Sequence, residues 1–469
     1  MLALTALTLS AYSFVLSAPF KTLDDQSSIV DNSTIQQPSK WKELFTEGYF
    51  KDRSYYRPLV NLSFMTEYRL FGLNPFFYNL DNVIIHILNA LLVWMLVAVL
   101  VNAGAGFWVA LLFAIHPIQW ESVSNISGRA ILLSTLFSLI ALNSYFKSWH
   151  LLALGAFVAA LLCKESAAIL PGLLLIYAFL YKKDMKSMLP WFLVLGGYLG
   201  VRHYLGITEF FKWPSIWHHA LGVLTFLRSV LTDLRLFIWP LDLHFDRSYR
   251  VFGHFGEAEA IGTLLAWGTI TAGLIRWRTC LNSLQWFCIG WFLLCLLPVS
   301  QLISSIGVQP GRISTAEHFL YLACVPVFII VIDLLNRTAQ KTIKFAACGV
   351  LLFFFLITIE QNIYAQNELA MVERSLRIQP DNARLHSTAG LIYALSGKYF
   401  RLAVLANPLS PRYKISLGKS LCDQGRIKEC LEAYNQIKDA GGLDSILNDN
   451  KKAAYRLLKE QSHDSLLQK

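Results

Sequence analysis

Three groups of polar and charged residues stand at the ends of apolar segments, where a reactive site could be assembled. Asp24 and Asp25 follow the first apolar run, and the stretches 116–121 (HPIQWE) and 163–166 (CKES) end later runs. Carboxylates can accept a proton or ligate a hard divalent ion, and they are costly to place beside lipid. A polar loop at the water interface is the alternative for the acid pair alone. Together, the three groups predict one polar active site on the outer face of a helical bundle.

The composition indicates the helices that must position these groups. The 469 residues are 55% hydrophobic and only 15% charged, whereas a soluble chain carries charge on about a quarter of its residues. The 13 Trp, 19 Tyr and 31 Phe suit interfacial belts and packed helices in lipid. The sequence therefore predicts an all-α, polytopic protein of the lipid bilayer. Its net charge of +10 lies largely in short loops without a basic, aromatic-interleaved run, so we expect no nucleic-acid partner.

Eleven stretches are apolar over a length that approaches a membrane span. We read Met1 to Ala18 as an uncleaved first helix rather than a signal peptide, because it has no positive n-region. A twelfth apolar stretch, 219–240, contains three charged residues and is predicted to lie at the interface. The eleven candidate spans are 2–19, 80–101, 105–118, 130–146, 149–163, 167–181, 189–205, 259–275, 284–300, 318–335 and 345–361.

Basic residues in short loops orient the bundle. With the amino terminus inside, the inner loops hold the basic residues Lys147, Lys182, Lys183, Lys186, Arg276, Arg278, Arg337, Lys341 and Lys344. Eleven spans then place the 20–79 loop, the two later polar groups and the carboxyl-terminal tail together on the outer side.

Two regions outside the spans have structure of their own. The outer loop 20–79 contains an amphipathic surface stretch at 41–45, and Pro58 fits the first turn of a further helix. We predict a transmembrane domain over 1–362 and a helical tail over 363–469. Within the tail, 391–399 and 417–426 are similar to each other, with glycine at a helix–helix turn, which indicates tetratricopeptide-like repeats.

The eight cysteines show neither metal-ligand spacing nor a disulfide framework.

The order of motifs along nearly the whole chain resembles the transmembrane and tetratricopeptide-repeat-containing O-mannosyltransferase group and its bacterial relatives. These enzymes are membrane glycosyltransferases of the C class. The motifs, in chain order, are Asp24-Asp25, Tyr56-Arg57-Pro58-Leu59, Asn82 with His86, His116-Pro117 through Glu121, Ser127-Gly128-Arg129, Lys164-Glu165, Trp239-Pro240-Leu241-Asp242-Leu243 and Ala316-Glu317-His318-Phe319-Leu320-Tyr321-Leu322.

The resemblance implies a reaction on the outer face of the membrane. A sugar, mannose by analogy with the group, would pass with inversion from a polyprenyl-phosphate carrier to a protein hydroxyl or a glycan held by the repeat tail. An acceptor hydroxyl is a poor nucleophile and needs a positioned carboxylate as general base. Asp24 or Asp25 would supply it, and the sequence leaves both open.

Other charged residues are candidates for contacts with the substrates. His116, Glu121 and Arg57 would contact sugar or acceptor, although His116 could instead mark a helix end before proline. A lipid phosphate leaving group calls for cations. The candidates around it are Arg129, Lys164, Arg202, Arg228, Arg235, Glu317 and His318. The arginines of 219–240 could instead snorkel to headgroups, and Lys164 could pair with Glu165.

Some residues carry weaker or different expectations. His318 stands where the group usually has arginine, so it could contact phosphate only when protonated. Asn82 and His86 share a helical face and are expected to hydrogen-bond between helices. Asp24, Asp25 and Glu121 are hard oxygen ligands, yet we predict no metal and no other cofactor.

The short tail and compact loops favour a bacterial inner-membrane protein with a periplasmic site, or an endoplasmic-reticulum protein if the source is eukaryotic. A transporter or flippase for lipid-linked sugars is one alternative, although transport sites lie near mid-span rather than at helix ends. A non-catalytic scaffold that binds proteins through its repeats is another, but a scaffold does not require acids and arginines on one face.

Overall fold

The protein is helical, as the sequence predicts. The computed structural model describes residues 1–467 except Leu23, 50–54, 208–214, 303–310, 338–340, 394–396, 409, 438 and 441. The chain forms two compact units. One comprises 1–243, 251–306 and 315–368, and the other comprises 244–250, 307–314 and 369–469. The predicted domain boundary at 362–363 lies inside a continuous helix, Lys341–Ala365.

Local sequence signals start several helices of the first unit. Pro58 and Pro75 occupy first helical positions, and the side chains of Asn74 and Asn102 cap the helices that follow them. The helices are α1 (Leu2–Tyr12), α2 (Pro58–Phe71), α3 (Pro75–Leu100), α4 (Ala103–Ile115), α5 (Trp120–Ser124), α6 (Arg129–Phe146), α7 (His150–Cys163), α8 (Leu170–Leu180), α9 (Leu189–Tyr204), α10 (Ile216–Leu236), α11 (Ala258–Arg276), α12 (Ser283–Leu296), α13 (Cys324–Arg337) and α14 (Lys341–Ala365).

The helices differ in whether they are long and apolar enough to cross a bilayer. Among the described residues, four qualify, at Pro75–Leu100, Ile126–Phe146, Ala258–Arg276 and Ala346–Ala365. A bent pair, Ala103–Ile115 with Pro117–Ser124, makes a fifth if it counts as one span. The shorter apolar helices Leu2–Ser17, His150–Cys163, Glu165–Leu180 and Ser283–Val299 overlap four further predicted spans. The protein is a membrane protein by these segments, while eleven spans and the interfacial position of 219–240 stay predictions.

Polar side chains on α3 form hydrogen bonds to several neighbouring segments. Asn82 Nδ2 donates to the Asn125 carbonyl at 2.8 Å, and the His86 ring contacts the Tyr321 hydroxyl at 2.7 Å and the Ala114 carbonyl at 3.1 Å. The predicted interhelical bonding of Asn82 and His86 is confirmed.

The second unit combines the tail with two short strands. β1 (Ser248–Arg250) pairs antiparallel with β2 (Arg312–Ser314). Within this unit, Asp246 accepts from Asn382 Nδ2 at 3.2 Å and from Arg384 Nη1 at 2.9 Å. The tail helices are α15 (Glu368–Ile378), α16 (Ala383–Ile392), α17 (Gly397–Ala406), α18 (Pro411–Asp423), α19 (Ile427–Asn435) and α20 (Asp444–Leu467), with all of α15 except its first residue in this unit.

The tail contains the helical pair that the sequence predicts around Gly425. That glycine joins α18 to α19 with φ of +75°, a conformation that glycine adopts without strain. Gly418 of α18 faces the Tyr434 ring so closely that an added Cβ would lie 2.3 Å from it. A disulfide joins Cys422 and Cys430, with their Cα atoms 5.3 Å apart. This bridge corrects the expectation that the cysteines form no disulfide framework, because spacing alone does not reveal which cysteines pair. Assignment of the pair as a tetratricopeptide repeat stays a prediction.

Candidate active site

Asp25 lies in the turn after α1 and is held by the backbone on both sides. Its side chain is only 1% exposed. Oδ2 accepts from the Lys21 amide and Oδ1 accepts from the Ser127 amide, each at 2.9 Å. Burial raises the pKa of Asp25 to about 6, although Lys21 and these hydrogen bonds oppose the rise. With an amide on each oxygen, the Asp25 carboxylate is suited to fixing the turn.

Asp24 is the less buried member of the acid pair. It is half-buried, and its carbonyl accepts from the Ser28 hydroxyl at 2.6 Å. Burial raises the pKa of Tyr49 to about 12; Arg57 opposes that rise, and Asp24 and Asp25 add to it. Tyr49 therefore lies within electrostatic reach of both the acid pair and Arg57.

Lys21 joins the acid pair to the segment after the His116-Pro117 bend. Its Nζ donates to the Ser124 carbonyl and to Asn125 Oδ1, each at 2.5 Å. Burial lowers the pKa of Lys21 to about 8, and the negative charges of Asp25, Glu368 and Glu121 oppose the fall. The Lys21 ammonium group thus balances the negative charges of Asp25, Glu368 and Glu121. Lys21 was not among the site residues predicted from sequence, although it is the first charge after the apolar run.

The 120–121 and 317–318 pairs contact each other residue by residue, Trp120 with Glu317 and Glu121 with His318. Trp120 Nε1 donates to Glu317 Oε2 at 2.7 Å. Glu121 accepts from the His318 amide at 3.0 Å and lies 3.1 Å from His318 Nδ1. Two motifs that lie 197 positions apart in the sequence are therefore in contact. Glu317 is fully buried against the indole, whereas His318 is partly exposed beside Glu121.

A second charged group contains Arg57, Lys164 and Glu165. The Arg57 guanidinium makes two bonds to the Glu165 carboxylate, at 2.8 and 3.3 Å, and lies 4.3 Å from the centre of the Tyr55 ring. Glu165 therefore pairs with Arg57, not with Lys164 as the alternative reading proposed. Burial lowers the pKa of Lys164 to about 8; Arg57 lowers it further, and Glu165 and Glu121 oppose the fall. The Lys164 ammonium group therefore interacts electrostatically with both carboxylates, Glu165 and Glu121.

Lys164 has an ammonium group suited to an added anion. Its side chain is 9% exposed, and its Nζ lies 5.8 Å from the Phe319 ring centre. Among the described residues, Lys164 forms no ion pair within 4.0 Å. Arg202, at the end of α9, lies 5.9 Å from the Tyr198 ring, and Tyr198 interacts electrostatically with Glu165 and Arg57. These cations border the group formed by Arg57 and Glu165.

Arg129 is placed in the helical core rather than in the charged cluster. It is fully buried, and its Nη2 donates to Glu67 and to the Tyr78 carbonyl, each at 2.9 Å. Its Nε donates to Asn82 Oδ1 at 2.5 Å. These contacts join α2, α3 and α6, so the guanidinium is engaged in packing.

His116 also lies apart from the cluster. Its Nε2 is 3.1 Å from the Phe237 carbonyl, and its Nδ1 accepts from the Ile118 amide. Its ring packs against those of Phe237, Phe328 and Phe354. This is the arrangement of a helix-end residue before proline, the alternative stated above.

The two arginines of α10 pair with acidic neighbours. Arg228 lies 3.5 Å from Glu259, and Arg235 makes two bonds of 2.7 Å to Asp242. Both ion pairs are partly exposed. Their role at a donor phosphate stays a prediction. Among the described residues, no group of three or more His, Cys, Asp or Glu side chains has the arrangement of a metal site.

Comparison with known proteins identifies the relatives of this chain. No family model matches it. It is 25% identical to human protein O-mannosyl-transferase TMTC3 over 88% of the chain and 52% of that protein. The Drosophila melanogaster protein O-mannosyl-transferase Tmtc3 is 24% identical over 88% of the chain and 56% of its own length. The predicted resemblance to this O-mannosyltransferase group is confirmed.

A third relative has a similar level of identity and coverage. Protein O-mannosyl-transferase F38B6.6 of Caenorhabditis elegans is 23% identical over 85% of the chain and 60% of its own length. The chain thus spans just over half the length of these relatives. Their activity, substrates and partners are carried to it only as a proposal.

Proposed function

We propose that the protein transfers a sugar, of the mannose class, from a polyprenyl-phosphate carrier to a hydroxyl group of a protein or glycan acceptor on the extracytoplasmic face. The observation that carries this proposal is that Lys21 and Asp25 bond to residues 124–127, while Glu121 of the same segment contacts His318. Such a cluster of proton acceptors at helix ends suits group transfer at the membrane surface. The relatives are named protein O-mannosyl-transferases, which supports mannose as the sugar.

Asp24 is the general base in this proposal. The acceptor oxygen attacks C1 of the sugar, and the C1–O bond to phosphate breaks with inversion at C1. The hydroxyl proton passes to the Asp24 carboxylate, and the polyprenyl phosphate leaves with the bonding electrons. Asp25 is less suited to this role, because both of its oxygens accept backbone amides. It acts by fixing the turn.

The leaving phosphate gains negative charge during the reaction and is stabilised by cations. Lys164 is the first candidate, because it is nearly buried and no described carboxylate pairs with it within 4.0 Å. Arg57 and Arg202 border the same group. His318 takes the place of the usual arginine, and its Nδ1 lies 3.1 Å from the Glu121 carboxylate.

An extracytoplasmic tail is part of the proposal. Disulfides persist in oxidising compartments and are rare in the cytosol, and the bridge between Cys422 and Cys430 supports that side for the tail. We place the protein in a bacterial inner membrane with the reaction in the periplasm, or in the endoplasmic reticulum if the chain is eukaryotic. The repeat tail would hold the acceptor.

The experiment is a transfer assay in proteoliposomes. The purified full chain is supplied with radiolabelled mannose on polyprenyl phosphate and with a Ser/Thr-rich acceptor peptide. We expect labelled peptide, and we expect Asp24→Asn to slow its formation about 100- to 10,000-fold. The matched control is Asp31→Asn, the same change at an exposed residue of the same loop, which should retain the wild-type rate. Equal rates for all three proteins would refute the catalytic assignment, and sugar movement without bond formation would indicate a transporter.

A further inference from the structure

The carboxyl-terminal half of α14 carries polar residues at a spacing of four. α14 is apolar over Ala346–Ala365, long enough to cross a bilayer. Thr358 and Asn362 are nevertheless fully buried within it, and Gln366 follows one residue after its end. Residues four apart lie on one face of a helix, so the three side chains point in a common direction.

This face is bonded to the end of α1, which leads to the acid pair, and to the segment around the His116-Pro117 bend. Thr358 donates to the Ile115 carbonyl at 2.7 Å. Asn362 donates to the Ala11 carbonyl at 2.8 Å and accepts from the Ser124 hydroxyl at 2.5 Å. The bonded atoms belong to the end of α1 and to the residues around the His116-Pro117 bend.

The hydrogen bonds from this face continue along the segment after α1. Gln366 Nε2 donates to the Phe14 carbonyl at 2.6 Å and to the Ser17 hydroxyl at 2.8 Å. Bonds to Ala11, Phe14 and Ser17 follow one another at intervals of three residues. The path of the chain from α1 to the acid pair is therefore fixed by one helix and its extension.

Glu368 adds two further hydrogen bonds close to the acid pair. Its Oε1 accepts from the Thr22 amide and its Oε2 accepts from the Thr22 hydroxyl, each at 2.7 Å. Thr22 lies two residues before Asp24. The Glu368 carboxylate also acts electrostatically on Lys21, which bonds to Ser124 and Asn125. We call the paired bonds between Glu368 and Thr22 the Thr22 clasp.

We infer that Glu368 is a positioning residue for the transfer reaction, acting through the Thr22 clasp to hold Asp24 at its reacting position. The inference rests on the proposed function for the role of Asp24. Helix packing alone accounts for Thr358 and Asn362, since amides and hydroxyls often bond between membrane helices. It does not account for a carboxylate that receives two donors from one residue beside the acid pair.

The clasp also lies where the tail begins. Glu368 is the first residue of α15, so the chain that continues into the tail starts at this contact. A carboxylate at the first turn of a helix is favourable there because of the helix dipole. The reacting turn is thereby fixed by a residue 344 positions later than Asp24 in the sequence.

The test compares Glu368→Gln with wild type in two measurements on the full chain in detergent or proteoliposomes. Glutamine keeps the size but replaces one accepting oxygen with a donor. Hydrogen exchange of the peptide covering residues 18–30 should become about tenfold faster, because a side chain with one accepting oxygen cannot hold the Thr22 amide and the Thr22 hydroxyl together. The kcat for sugar transfer should fall about tenfold or more while KM for the donor stays within about twofold, as expected for a positioning residue.

Two further variants make the result specific. Glu373→Gln removes the same charge from the same helix, where Glu373 bonds to the Tyr393 hydroxyl, and it should change neither measurement. Thr22→Val removes the hydroxyl partner, and in combination with Glu368→Gln it should add little to the loss of kcat, because both changes break the same contact.

The outcomes separate this inference from the proposed function. Unchanged exchange in Glu368→Gln would overturn the clasp whatever the activity. Faster exchange together with a wild-type kcat would overturn the positioning role. If the wild type transfers no sugar while exchange still rises in Glu368→Gln, the proposed function fails and the clasp is upheld as a structural contact.

Discussion

Lys21 and Asp25 are buried groups of opposite charge whose pKa values lie on either side of neutrality. Asp25, with a pKa of about 6, is ionised above that pH, and Lys21, with a pKa of about 8, is protonated below that pH. Both are charged only between these values. Because Asp25 fixes the turn and Lys21 joins it to Ser124, we expect the rate of transfer to fall below pH about 6 and above pH about 8.

The initial rate measured from pH 5 to 10 checks this expectation. Lys21→Arg supplies a cation that stays protonated throughout the range, so the fall above pH about 8 should become smaller in that variant, and the part that remains reports Lys164, whose pKa is also about 8. A rate that is flat from pH 5 to 10 in the wild type, or an unchanged alkaline limb in Lys21→Arg, would contradict the assignment.

Several residues of the candidate site could be predicted from sequence because helix ends are visible in it. Asp24, Asp25, Glu121 and Lys164 each follow or end an apolar run. The partners of a charge are not visible in the same way. Arg129 looked like a phosphate ligand, yet it bonds to Asn82 and Glu67, which lie 47 and 62 positions away in sequence. Polarity at a helix end indicates a buried interaction but not whether the partner is a ligand or the protein.

At the scale of elements, the Arg129 contacts join α2, α3 and α6. Replacing Arg129 with Met leaves Glu67 buried without its partner, so we expect a loss of about 3–5 kcal/mol in the free energy of unfolding. Arg235→Met removes a partly exposed ion pair with Asp242 and should cost less than about 1 kcal/mol. Thermal unfolding in detergent measures both. Similar midpoints for the two variants would show that Arg129 is not a structural residue.

The α18–α19 pair provides a second test of an element. At Gly418 an added Cβ would meet the Tyr434 ring at 2.3 Å, so Gly418→Ala should destabilise the tail by about 1–3 kcal/mol. Gly349 of α14 has open space around the same position, so Gly349→Ala is the matched control and should be neutral or slightly stabilising. Limited proteolysis within 411–435 reports the difference. Equal resistance of the two variants would refute this packing.

The elements show what periodicity and turn residues can predict. Pro58 starts α2 and Gly425 separates α18 from α19 as their residue types indicate. The pairing of β1 with β2 had no such signal, because each strand has three residues and its partner lies 64 positions away. Helix bounds follow the apolar runs closely, as for the predicted span 189–205 and the helix Leu189–Tyr204. How many of these helices cross the bilayer stays a prediction.

At the scale of the whole molecule, the proposal requires the outer loop and the tail to face one compartment. Thr46 and Lys452 are exposed residues of these regions, and Asp184 is exposed in a predicted inner loop. After replacement of the exposed Cys280 and Cys348 by Ser, a single cysteine is introduced at each position in turn. An impermeant maleimide should label positions 46 and 452 in sealed right-side-out membranes, and position 184 only after permeabilisation. Labelling of 46 and 184 from the same side would exclude the proposed orientation.

In the proposed reaction, the Asp24 carboxylate takes the proton of the acceptor hydroxyl while other residues bind the donor. For Asp24→Asn, both the affinity for polyprenyl-phosphate mannose and the single-turnover rate of transfer to the acceptor can be measured. This role of Asp24 predicts an affinity within about threefold of wild type and a rate at least about 100-fold slower. A wild-type single-turnover rate in Asp24→Asn would contradict it.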